Sequence, residues 1–315
     1  MPDPGRNPGS LLRYGCYGCL GCLGLLVLIA AVIFGVAMMS APSEPIEAER
    51  VTRELPEPVP VSPEALEADF AGAPDAMTAA GGRIILDLAQ AEFDISPGLP
   101  GDPLRVEGLY NRSGYTLEES LEKPADVPWT YSVRFRRNAG AGFFAWLGET
   151  LTGTSPKLNI TIPPDVPIEL VLTASRGEVV VDLAGLWLTS ADVDLSMGGA
   201  DLNISSPLRA PIDRLSIKAG MGGGSFRNIG NASPRELDIE FSMGGLHLDL
   251  TGAWQRDADI SIRHKMGGGA VQLPRNARIE GLPSGSGPKR DRSGSGLPVL
   301  RFRVSSEMGD IEFID

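Results

Sequence analysis

Two histidines, His247 and His264, are all the imidazole this chain of 315 residues holds, and its three cysteines are gathered at Cys16, Cys19 and Cys22. A side-chain nucleophile needs a base within reach, and a metal needs three or four converging donors. The cysteines stand three apart, so a helix would align them on one stripe, and no second pair at zinc spacing follows them. Packing or acylation at a membrane suits that stripe better than a metal. His264 keeps the apolar phase of its strand and His247 the polar phase of its own, so the imidazoles do not converge. Asp192, Asp194 and Asp201 form an outward acidic row without the spacing of an EF-hand or the form of calcium-binding nonapeptides, and solvation is the expected role. There is no G-x-S-x-G. No catalytic residue, cofactor or metal ligand is therefore expected.

Glycine-rich stretches are the remaining chemical candidate. Methionine precedes glycine five times, at Met197-Gly198-Gly199, Met221-Gly222-Gly223, Met243-Gly244-Gly245, Met266-Gly267-Gly268 and Met308-Gly309. A phosphate loop occurs once, between a strand and a helix, and ends in Gly-Lys-Ser/Thr. None of the five copies has that setting. Their intervals are 24, 22, 23 and 42 residues, and the last becomes regular if about 19 residues are an insertion, which the Gly/Ser/Arg-rich stretch 275–297 has the composition to be. A period in the twenties marks a repeat architecture.

Around each methionine the same alternation recurs. Apolar residues stand two, four and six positions before Met197 (Leu195, Val193, Ala191), Met221 (Ala219, Ile217, Leu215) and Met243 (Phe241, Ile239, Leu237). His264, Ile262 and Ile260 precede Met266 in the same way, and Ser306, Val304 and Phe302 precede Met308. The residues between are mostly polar, and alternation resumes beyond the glycines, as in Leu246, Leu248 and Leu250. Period two with one wet face means a strand, so each repeat reads as a strand, a sharp bend and a second strand. Glycine permits the bend, and methionine is expected to fill the space beneath it, stacked from turn to turn. Degenerate copies lie at 84–95 and 170–183, with further strands between, so 82–315 reads as one all-β domain with insertions near 139–155 and 275–297.

Upstream, no charged side chain occurs from Tyr14 to Ser43. About 20 apolar residues cross a bilayer, so 16–41 is expected to be a transmembrane helix behind a cytoplasmic tail of residues 1–15. A signal peptide would have a shorter apolar run and a better small-x-small site. Arg6 and Arg13 are matched in number by Arg50 and Arg53, but taken as a pair they lie nearer the helix and on a short tail, which favours a cytoplasmic N-terminus and an extracytoplasmic bulk. Residues 42–81, rich in Pro and Glu, read as an extended linker.

The run "LNITIPPDVPIELVLTASRGEVVVDLAGLWLTSADVDLSMGGADLNIS" from Leu158, followed by glycine-bend repeats, resembles the toastrack domains of bacterial envelope proteins, the adhesin-like and LiaF-like group. The likeness covers about 82–315. It implies a β-solenoid-like (toastrack) array attached to membrane segments, a place in envelope stress systems beside sensor kinases, and no catalytic residues. A single N-terminal anchor departs from the multi-helix LiaF arrangement.

A net charge of −12 and a pI near 4.8 argue against nucleic acid as a partner. Phe143, Phe144, Trp146 and Leu147 cluster in the insertion near 139–155, where they either contact a membrane or protein partner or cap the array. The expected function is protein binding or scaffolding at the envelope without catalysis, with another envelope or membrane protein as partner. Self-assembly into a structural or adhesive array is one rival, and a carbohydrate-active enzyme with paired carboxylates over a cleft is another.

Overall fold

The computed structural model describes residues 25, 27–35, 47–56, 59–60, 79–125, 127–138, 155–283 and 296–315. They fall into two units, residues 1–45 with 138–155, and residues 46–137 with 156–315. In the first, Leu25 and residues 27–35 are helical and exposed. Among the described residues no helix is long and apolar enough to cross a membrane; most of 16–41 lies outside them, as do Phe143, Phe144, Trp146 and Leu147.

Among the described residues the second unit is nearly all β, one curled sheet of 17 strands and a two-stranded antiparallel ribbon of β2 (Val59–Pro60) and β3 (Ala79–Ala80). Its repeating part is a stack of parallel rungs, each with two arms. The first arm stacks β4 (Gly82–Leu88), β10 (Ile168–Ala174), β12 (Leu188–Met197), β14 (Arg214–Arg227), β15 (Glu236–Asp249), β16 (Ala258–Gln272) and β18 (Val299–Met308). The second arm stacks β5 (Glu92–Pro97), β11 (Val179–Asp182) and β13 (Ala200–Asn203), then the later halves of β14, β15 and β16, and β19 (Ile311–Ile314). Strand, corner and strand thus run unbroken through β14, β15 and β16, because the ladder bonds persist across the glycines.

The inward rows read from the repeats are buried. Ile217, Ile239 and Ile262 oppose one another in register at 0% exposure. Burying each such side chain contributes roughly 1.5–3 kcal/mol, which makes the register a strong constraint, since a slip of one residue would turn the whole row to water. The connections between rungs close the core with Leu186, Leu208, Ile229 and Trp254, whose indole Nε1 donates to the Leu250 carbonyl at 2.7 Å. Asn231 in one connection holds its neighbours on both sides, donating to the Ile204 carbonyl at 2.7 Å and accepting from the Ala253 N–H at 3.0 Å.

Two further parallel strands, each with an antiparallel partner, cover the start of the stack. On the first arm β8 (Thr130–Arg137) lies beside β4 and is paired by β7 (Tyr115–Glu122); on the second, β9 (Lys157–Ile162) lies beside β5 and is paired by β6 (Leu104–Tyr110). An aromatic group fills this end, with Phe135 stacked on Tyr115 at 5.3 Å and edge-on to Tyr110 at 5.1 Å.

Two features of the chain depart from the sequence-based expectation. The stretch 42–81, read as linker throughout, contributes β1 (Glu47–Arg53), antiparallel to β6. Its composition is polar because only one side of an edge strand meets the core; Val51 packs there, the Tyr110 hydroxyl donates to Glu49, and Arg53 pairs with Glu119 at 2.7 Å. Within 275–297, Ala277 is buried and β17 (Arg278–Glu280) pairs with the start of β18; residues 284–295 lie outside the described residues.

Candidate functional site

Each corner consists of three residues with distinct surroundings. The glycine that follows each methionine carries a positive φ: 129° at Gly198, 134° at Gly222, 126° at Gly244, 123° at Gly267 and 131° at Gly309. A Cβ there would fall 1.7–2.0 Å from the carbonyl oxygen of the corresponding glycine one rung below, with Gly177 under Gly198. These glycines form a close-stacked backbone column, and both the conformation and the approach exclude any side chain. The second glycines, Gly199, Gly223, Gly245 and Gly268, have no left-handed φ, and a Cβ on any of them would meet nothing within 4 Å. Their bareness is a surface property.

The methionines stack as expected, Met197 opposite Met221, Met221 opposite Met243, Met243 opposite Met266 and Met266 opposite Met308. They are not buried. Their exposures are 38% at Met197, 47% at Met221, 44% at Met243, 39% at Met266 and 58% at Met308. The extra residue at each corner breaks the alternation, so inward Leu195 is followed by inward Ala200, five positions on, and the methionine drops out of the core row. Beneath Met197 and Met221 the corner is lined by Ala174, Leu195, Ala219 and Phe241.

Beyond the second glycines the outer face forms an open groove of about 450 Å³ across the rungs. Gly199, Gly223 and Gly245 line it together with Glu178, Asp201, Ser225 and His247. Asp201, Ser225 and His247 are register partners, one from each successive rung. Asp201 accepts two hydrogen bonds from the Arg227 Nη2, at 2.7 and 2.8 Å. Farther along the outer surface, Lys265 hydrogen-bonds Glu240 at 3.0 Å and holds its carboxyl below the usual carboxylate range. At the covered end of the stack, burial and then hydrogen bonds to Glu49 and Glu119 push the Tyr110 and Tyr131 hydroxyls upward. These pairs hold strands together and line no groove.

His264 is 1% exposed and stacked on Phe241 at 5.9 Å and 20°. The core position matches its apolar phase, and neither ring nitrogen hydrogen-bonds to any of the described residues. His247 is on the outer face, as its phase required. Among the described residues no three or more His, Cys, Asp or Glu side chains gather as a metal would need. The groove's walls were present in the sequence as the outward positions two residues beyond each second glycine; the signal was the bare second glycine itself, read only as part of the bend.

No family model matches the chain, and no curated protein does. Solved structures do match, among them a protein of Clostridium sporogenes ATCC 15579 to which a cell-adhesion role is ascribed, with 12% identity, a TM-score of 0.36, and coverage of 85% of this chain and 99% of that one.

Proposed function

We propose that this chain is a non-catalytic, membrane-anchored binding or scaffolding protein of the cell envelope, with a toastrack-like array as its binding part. The observation that carries the reading is the groove over Gly199, Gly223 and Gly245, a side-chain-free floor on a rigid ladder with polar groups repeated at one per rung along its wall. Preformed relief of this kind meets a partner without ordering cost. The uncharged stretch from Tyr14 to Ser43 supplies the anchor, with the array on the extracytoplasmic side. The partner is another envelope or membrane protein, and the toastrack resemblance implies one of a stress-sensing system.

The test is recovery of the tagged full-length chain from its native membranes beside Gly245→Arg. That substitution fills the groove yet meets open space, so it leaves the fold intact. A specific partner should be lost from the Gly245→Arg sample at unchanged melting temperature. Retention of that partner refutes the groove, and retention by Gly245→Arg with loss in a Phe143, Phe144, Trp146→Ser variant moves the contact to the insertion.

A further inference from the structure

The groove leaves the methionine line unexplained. A half-exposed methionine adds little to a core, yet this one recurs in five successive rungs in strict register. From this geometry we infer a binding site for a soft monovalent cation, Cu(I) or its chemical equivalent Ag(I), held between the thioethers of adjacent rungs.

Thioether sulfur is a soft donor that selects Cu(I) over the harder divalent ions. Neighbouring strands lie about 4.7–4.9 Å apart, so stacked residues repeat at that interval along the column. A typical metal–sulfur bond is about 2.3 Å, as for zinc and thiolate, and two of them in line span about 4.6 Å. The spacing of the rungs therefore matches a cation bridged by two sulfurs. Methionine's three side-chain torsions provide the adjustment that a fixed ladder would lack. The five methionines give four successive gaps, Met197–Met221, Met221–Met243, Met243–Met266 and Met266–Met308. Their exposure gives an ion direct access from solvent, and a chain of net charge −12 concentrates cations near its surface. Binding involves no change of oxidation state. The site lies at the corners and is independent of the groove reading.

The experiment uses the full-length chain in detergent, with Cys16, Cys19 and Cys22 replaced by Ser so that thiolates do not compete. Cu(I) is titrated without oxygen against a chromogenic chelator, and Ag(I) is titrated with the methionine methyl groups observed by NMR. The expected result is retention of Cu(I) against micromolar chelator, with methyl shifts at Met197, Met221, Met243, Met266 and Met308 and none at Met1, Met38, Met39 or Met77. Replacing Met221, Met243 and Met266 together with Leu, a volume-conserving change, should weaken Cu(I) retention at least tenfold. No retained ion, shifts spread over all nine methionines, or a folded Leu variant with unchanged affinity would each overturn the site. The methyl shifts decide the matter even if the triple variant fails to fold.

Discussion

Adjacent glycines in one corner should respond oppositely to the same substitution. Gly244→Ala places a methyl group at φ 126°, 1.9 Å from the Gly222 carbonyl oxygen, whereas Gly245→Ala places one in open space without a left-handed φ. Holding a non-glycine residue in such a conformation costs about 1–3 kcal/mol. The clash is with backbone in a ladder bonded on both sides, so relief requires a main-chain shift, and overpacking of that kind costs about 1–3 kcal/mol more. The expected loss for Gly244→Ala is thus roughly 4 kcal/mol. At about 2–4 °C per kcal/mol for a domain of this size, the melting temperature falls by roughly 8–16 °C. Gly245→Ala should be neutral or gain about 0.4–1 kcal/mol by restricting the unfolded chain. Thermal unfolding followed by far-UV circular dichroism, supported by urea titration, distinguishes them. Equal melting temperatures, or a larger loss for Gly245→Ala, would refute the assignment of one glycine to backbone packing and the other to the surface.

Two further outcomes follow from the rungs. Phe241→Ala removes a ring that is 1% exposed and should cost about 3–5 kcal/mol, while Met243→Ala, two positions on and 44% exposed, should cost well under half as much in the same denaturation assay. In a background lacking Cys16, Cys19 and Cys22, the register partners Ser225 and His247, both changed to Cys, should form a disulfide under mild oxidation. Ser225 and Asp249, both changed to Cys, should not, because two residues of slip puts the Cα atoms beyond the roughly 7 Å limit; gel mobility without reductant reports the result.

Much of this architecture was legible in the spacing of residues. The inward rows at Leu215, Ile217 and Ala219, or Leu237, Ile239 and Phe241, are buried as their period of two required, and the degenerate copies around Ile84 and Leu170 are rungs of the same stack. Periodicity reports which face a side chain takes, and that is a local property. The methionine position was misread because a corner adds one residue and shifts the phase, and only the backbone dihedral shows where the shift falls. The same limit hid the division of labour between Gly244 and Gly245, since both letters are alike until φ and the distance to the next rung are known. β1 was missed for a different reason: an edge strand of sequence Glu-Ala-Glu-Arg-Val-Thr-Arg gains its stability from β6 and from the pairs of Glu49 and Arg53, partners more than 50 residues away that no local window contains.

Binding through the groove is tested most directly by placing a photo-crosslinking amino acid at Gly245 of the full-length chain in living cells, with the same group at Asp192 as the control. Both positions are exposed, the first in the groove and the second on the outer face of the first arm. The account predicts that irradiation joins one discrete membrane protein to the Gly245 derivative and leaves the Asp192 derivative unlinked. Equal cross-linking from the two positions, or capture from Asp192 alone, would contradict it.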